Sequence, residues 1–183
     1  STSRWLNSAA GSDDIEFRIT SPDGTVRAEN LAQVTISTGH AAIAASGSIT
    51  AVAGASLVDG ETFTLNDGSN PATVFEFDSG GGVAGANVAV PFTGADSAAT
   101  VAAAIQAAIN GVVGTLTITA NAPIGSVVTL VNDNGGVAGN TTSSDTVANA
   151  GFVITNMAGG AAAVATGSIT YGMANPTTSG GPY

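Results

Sequence analysis

Apolar and polar residues alternate without a break over Ile15-Glu16-Phe17-Arg18-Ile19-Thr20, the two-residue period of a half-buried strand. Ser21-Pro22-Asp23-Gly24 follows as a turn, and Thr25 to Ala28 returns from it as a hairpin partner. Gln33 to Ser37 is a further strand, and the Ala-rich stretch Thr38 to Ser46 reads as a connector. Alternation resumes in Glu61 to Asn66 and Thr73 to Asp78, on either side of the turn-forming run Asp67-Gly68-Ser69-Asn70-Pro71. Phe63 and Leu65 share one face of this hairpin, as do Phe75 and Phe77, and these residues supply much of the expected core.

The period changes once. From Asp96 to Asn110 Ala dominates, and Val101, Ile105, Ala108 and Ile109 recur at helical spacing, with Asp96 as the expected cap and Gly111 at the end. Strands follow at Thr115 to Ala120 and Val127 to Asn132, turned at Ala122-Pro123-Ile124-Gly125, with further strands near Asp145 to Val147 and Phe152 to Met157.

Pieces of the pattern recur. Thr62-Phe63-Thr64-Leu65 returns as Thr115-Leu116-Thr117-Ile118, and the loop Gly81-Gly82-Val83-Ala84-Gly85 returns as Gly135-Gly136-Val137-Ala138-Gly139. Gly47-Ser48-Ile49-Thr50 returns as Gly167-Ser168-Ile169-Thr170, the start of a further strand. The chain accordingly divides into an N-terminal strand-bearing arm (1-46), a β-rich module (47-163) with its helix at 96-110, and a C-terminal strand with a Gly/Pro tail (164-183). The expected fold is mainly β, a β-sandwich-like module of hairpins with one Ala-rich helix.

Composition narrows the function. Among 183 residues there is no lysine, and Arg4, Arg18 and Arg27 carry all the positive charge against a net charge of -10. This charge argues against nucleic acid and disfavours anionic membrane surfaces as partners, because both are bound through clustered Lys and Arg. Lysine-dependent covalent joining of subunits is excluded as well. The most apolar window, Ala95 to Val113, is broken by Asp96, Gln106, Asn110 and Gly111, so no membrane span is expected. With 9% charged residues, the surface must consist largely of Thr, Ser, Asn, Gly and Ala, which is readily buried against another subunit. The first residue, Ser1, is expected to arise from signal cleavage or from loss of an initiator Met.

Candidate chemistry is sparse. Gly80 to Gly85 matches GxGxxG, but Asn87 to Pro91 reads as strand where a dinucleotide site needs a helix. A single histidine, His40, and no cysteine exclude zinc sites built on two histidines or on thiolates. No GxSxG elbow surrounds a serine. Oxygen-rich runs at Asp59-Gly60-Glu61, Asn66-Asp67-Gly68 and Asn132-Asp133-Asn134 could contribute calcium ligands, yet none has the spacing of a calcium loop, and turn chemistry accounts for each. Asp59, Glu61, Glu76 and Asp78 include the carboxylates that a glycoside hydrolase would pair, but they more simply mark the polar face opposite the phenylalanines. Asn140-Thr141-Thr142 is a glycosylation sequon. No catalytic residue, cofactor or metal is expected.

Residues 61 to 133, a hairpin, an Ala-rich helix ending in Ile109-Asn110 and a second hairpin, resemble the flagellin/hook IN-motif class of module. The wider 47-163 segment is similar to modules of bacteriophage tail and other virion proteins and of large secreted bacterial surface proteins. The resemblance implies an exterior, assembled, non-catalytic role. The expected function is a self-assembling structural subunit of an extracellular fibre or pilus-like appendage, a homopolymer of this chain with other appendage or virion subunits as further partners. Two alternatives are a bacteriophage virion protein of the tail or capsid decoration and an adhesin or calcium-dependent binding module. Subunit contacts are expected at Arg4, Trp5, Ile15, Phe17, Arg18, Ile19 and Arg27. The strand at Ile15 to Thr20 either crosses to a neighbour's sheet or pairs within its own chain.

Overall fold

The alternating segment that begins at Ile15 belongs to a longer strand. Strand β1 (Gly11–Thr20) pairs antiparallel with β2 (Val26–Ile36), Gly11 opposite Ile36, Ile15 opposite Ala32 and Phe17 opposite Asn30. The structure, a computed structural model, describes residues 11–20, 26–36, 39–112 and 114–164. The turn expected at Ser21 to Gly24, the second Gly-Ser-Ile-Thr segment and the Gly/Pro tail lie outside the described residues.

The expected strand at Ile15 to Thr20 therefore pairs within its own chain. Thr25 to Ala28 and Gln33 to Ser37 were separate strands by pattern, but Val26–Ile36 is continuous. The ladder runs through the residues between them, with Asn30 and Leu31 registered against Phe17 and Glu16. The register shifts once, where Ile19 faces Ala28 and Thr20 faces Val26, leaving Arg27 as the extra residue of a bulge.

Two compact units divide the chain, residues 1–40 with 164–183 and residues 41–163. The first holds the β1–β2 ribbon and a backbone bridge between His40 and Val164. The second begins at Ala41 rather than Gly47, because β3 (Ala44–Thr50) already starts within the expected connector. Its Ala45 and Ile49 are fully buried and point inward, a sparse two-residue period that small Ala, Ser and Gly residues hide in the sequence.

The second unit continues with β4 (Thr62–Leu65), β5 (Thr73–Asp78), β6 (Val88–Pro91), helix α1 (Ala98–Asn110), β7 (Ile118–Ala120), β8 (Val127–Gly135), β9 (Ser144–Asp145) and β10 (Val153–Ala158). One antiparallel sheet has the order β10-β3-β8-β7. The other has the order β6-β5-β4-β9, with β5 and β6 parallel and the remaining pairs antiparallel. The described fold is mainly β with one helix. No helix among the described residues is long and apolar enough to cross a membrane.

Both sheets and the helix feed one core. Phe63 and Phe75, opposite each other on β4 and β5, stack with ring centroids 4.8 Å apart, while Phe92 and Phe152 meet Phe77 edge-on. Helix α1 packs against β6 of one sheet and β7 and β8 of the other, and buries Val101, Ala102, Ile105 and Ile109. Ala108, expected on that stripe, is only half-buried, and Ala102 takes its place. The cap is also displaced by one residue. Ser97 accepts the N–H of Thr100 through its hydroxyl, whereas the Asp96 carboxylate turns back to accept the N–H of Thr93 at 2.7 Å.

Candidate functional site

The four carboxylates that might have formed a hydrolytic pair gather around one glycine-rich loop and the turns beside it. Asp59 Oδ1 accepts the backbone N–H of Ser79 at 2.6 Å and its hydroxyl at 2.9 Å. Asp78 Oδ1 accepts three successive amides, from Gly80, Gly81 and Gly82, at 2.8 to 3.0 Å. Glu76, 7% exposed, accepts the N–H of Ala84 and the side-chain amide of Asn87 on Oε2. Glu61 joins two more loops, accepting Val58 N–H on Oε2 and Ala148 N–H on Oε1.

These contacts give the acids a common task. A loop rich in glycine loses more conformational entropy on ordering than any other, and charge-assisted bonds from its amides offset that loss. The amides of Gly80, Gly82 and Gly81 hold the Asp78 carboxyl below the usual carboxylate range. The dinucleotide alternative fails here on geometry, since β6, not a helix, follows the loop.

A second polar cluster joins two of the three oxygen-rich runs. Asp67, 1% exposed in the β4–β5 connection, accepts the amides of Ser69 and Asn70 on Oδ1. Its Oδ2 accepts the Asn70 side-chain amide and both the N–H and the hydroxyl of Thr117, just ahead of β7. The buried amide of Asn132, on β8, donates to the Asp67 carbonyl at 2.9 Å and accepts Asn134 N–H. Burial acts to raise the Asp67 pKa, but bonds from the Asn70 side chain and from the Thr117, Asn70 and Ser69 amides outweigh it and hold this carboxyl far below its ordinary value.

This cluster also explains a shortened strand. Thr115 to Ala120 was expected to be extended throughout, but β7 begins at Ile118 because Thr117 N–H goes to Asp67 and the amides of Thr115 and Leu116 turn back to the Val112 carbonyl. Thr117 had not stood out as a functional residue in the sequence. Its only signal was its place in the recurring Thr-x-Thr pattern.

The remaining candidates are placed as follows. His40 is exposed, and its backbone exchanges two bonds with Val164. The sequon nitrogen of Asn140 donates to the Gly160 carbonyl while Asn140 Oδ1 accepts Gly160 N–H, so a glycan there would displace a two-bond contact. The third oxygen-rich run, at Asp59 to Glu61, stays with the glycine loop. Among the described residues no group of three or more His, Cys, Asp or Glu is arranged to hold a metal ion. An open depression of about 500 Å³ beside Pro71, Thr73, Ala86 and Thr115 is lined by small side chains without a titratable group.

Of the expected subunit-contact residues, Arg4 and Trp5 lie outside the described residues. Ile15, Phe17 and Ile19 take positions on one face of β1, and Arg18 is registered against Glu29 in the same ribbon. Arg27 sits at the bulge. No protein-family model, curated protein or solved structure matches this chain.

Proposed function

We propose that this chain is a non-catalytic, self-assembling structural subunit of an extracellular fibre or pilus-like appendage. The observation that carries the reading is the use made of its acids: Asp59, Glu61, Asp67, Glu76 and Asp78 each spend carboxylate oxygens on backbone amides of loops. A hydrolase would leave such oxygens facing substrate, and a calcium site would converge them on an ion. Here their oxygens are taken up in bracing connections around a single aromatic core. A scaffold of this kind presents a largely Thr, Ser, Ala and Gly exterior, which copies of the chain can bury at small desolvation cost. Electron microscopy and sedimentation of the purified full-length chain test the reading. Regular homopolymers are the expected result, and a monomer that persists at millimolar concentration would overturn it.

A further inference from the structure

The two sheets of the second unit differ in what they show to solvent. On β5 the positions that alternate with Phe75 and Phe77 carry acids, Glu76 buried beneath the glycine loop and Asp78 at the strand end. Two outward rows at one end of β10-β3-β8 carry no acid. The register sets Val153 opposite Thr50 and Thr50 opposite Val127, and in the next outward row Thr155 opposite Ser48 and Ser48 opposite Thr129. The alternate residues Ile49, Val128 and Leu130 are buried, so these rows look away from the core. The nearest acid on β8 is Asp133, beyond these rows, where its Oδ1 accepts the Thr119 hydroxyl.

Apolar exposure concentrates at one end of this face. Among the described residues seven large hydrophobic side chains stand exposed, and Val127, Val153 and Ile124 are three of them. Val127 and Val153 close the two ends of one row, and Ile124, 85% exposed, is bridged to Val127 at the hairpin tip. Apolar groups clustered in this way mark an interaction surface rather than the scattered exposure that any protein shows.

We infer that this face packs against the same face of a second copy of the chain, an inference that rests on the assembly reading above and names its contact. Charge selects the occupant. Each copy carries a net charge of -10, so most juxtapositions of two copies place carboxylates near carboxylates, whereas these two rows bring none. Hydroxyl chemistry makes the face self-complementary, because Ser48, Thr50, Thr129 and Thr155 can each donate and accept, so a row meets its own two-fold image without an unmatched group. Sheets joined in this way lie about 10 Å apart. Three strands bearing two rows cover a few hundred Å² per copy, roughly half the 800 Å² per partner of a stable isolated pair, so the contact holds within a polymer, where several contacts act together.

The test uses the full chain with Ser48→Asp and Thr129→Asp together. The expected result is a rise of about tenfold or more in the concentration needed for assembly, with an unchanged circular dichroism spectrum and thermal midpoint. Mixing that variant with a Ser48→Arg, Thr129→Arg variant should restore assembly. Because the chain has no cysteine, Ser48→Cys supplies a second measurement that adds no charge. A bismaleimide reaching about 10 Å should link assembled Ser48→Cys copies pairwise, and should not link Val58→Cys copies. Wild-type assembly with an unaffected Asp variant and no Ser48→Cys linkage would overturn the inference alone. Failure of the wild type to assemble would overturn the assembly reading with it.

Discussion

Asp67 Oδ2 accepts both the backbone N–H of Thr117, at 2.7 Å, and its hydroxyl, at 2.8 Å, across fifty residues of sequence. One carboxylate thereby ties the hairpin turn of one sheet to the entry of β7 in the other. Replacing Asp67 with Asn turns an NH2 donor toward donors that a carboxylate oxygen had accepted, in a buried site, and should cost about 2–4 kcal/mol of unfolding free energy. Thr117→Val keeps the N–H and removes only the hydroxyl, and should cost about 1 kcal/mol. Urea unfolding of both variants and of the double variant checks the coupling, which is expected to be clearly non-additive.

Acid should weaken the fold through the same residue. The Asp67 pKa is lower folded than unfolded, so between the two values the unfolded chain binds the extra proton and stability rises with pH. Its contribution is present in full above the unfolded value of about 4 and is lost as pH falls below it toward the folded pKa. Unfolding free energy measured from pH 6 down to pH 2 should decline, and the decline should be shallower in Asp67→Asn. Equal slopes for the two proteins would contradict this account.

Asn110 ends the helix with a two-bond contact, donating to the Ala120 carbonyl and accepting Ala120 N–H, both at 2.9 Å. Asn110→Ala leaves both backbone groups of Ala120 without these partners and should cost about 1–3 kcal/mol. Asn110→Asp keeps the acceptor but points a carboxylate oxygen at a carbonyl, so at neutral pH it should be the more damaging change. Thermal midpoints rank the two variants.

Gly68 has φ +79°, and a Cβ added there would lie 1.8 Å from the Ala138 carbonyl oxygen. Gly60 has a similar φ of +85° with nothing within 4 Å. Gly60→Ala should cost about 1 kcal/mol for the left-handed backbone, and Gly68→Ala distinctly more, because the β4–β5 turn must also move off the loop it touches. Comparable losses would mean that the close approach at Ala138 relaxes freely.

Arg18, an expected subunit contact, has Glu29 directly opposite it in the register of the β1–β2 ribbon. Cross-strand pairs of opposite charge contribute roughly 0.2–1 kcal/mol. Arg18→Glu should lower the melting temperature of the chain, and the swap Arg18→Glu with Glu29→Arg should restore it. If Arg18 serves a subunit contact instead, the swap will recover stability but not the wild-type salt dependence of assembly.

Much of the fold was legible along the chain because its signals are local. The phenylalanine hairpin, the Ala-rich helix and the strands at Val127 and Phe152 each announce themselves through a period of two or of about 3.6 residues. Less legible were elements whose small residues blur that period, such as β3 in an Ala/Ser/Gly stretch, and β7, shortened when Thr117 turned its amide to Asp67. The two glycine loops match in letters but not in packing. In the first, a Cβ at Gly85 would meet nothing within 4 Å, whereas the matching Gly139 is packed against Asn132 and Ala45.

The sequence by itself determined a β-rich chain with one helix and a sparsely charged, acidic exterior without lysine, since composition and residue period act without reference to distant partners. Tertiary structure alone decided the partners: which carboxylate meets which amide, and which outward rows of Ser, Thr and Val fall side by side. The physical reason is that strand order and register place residues such as Val153, Thr50 and Val127 in one row although they lie far apart in sequence. No local period encodes that adjacency.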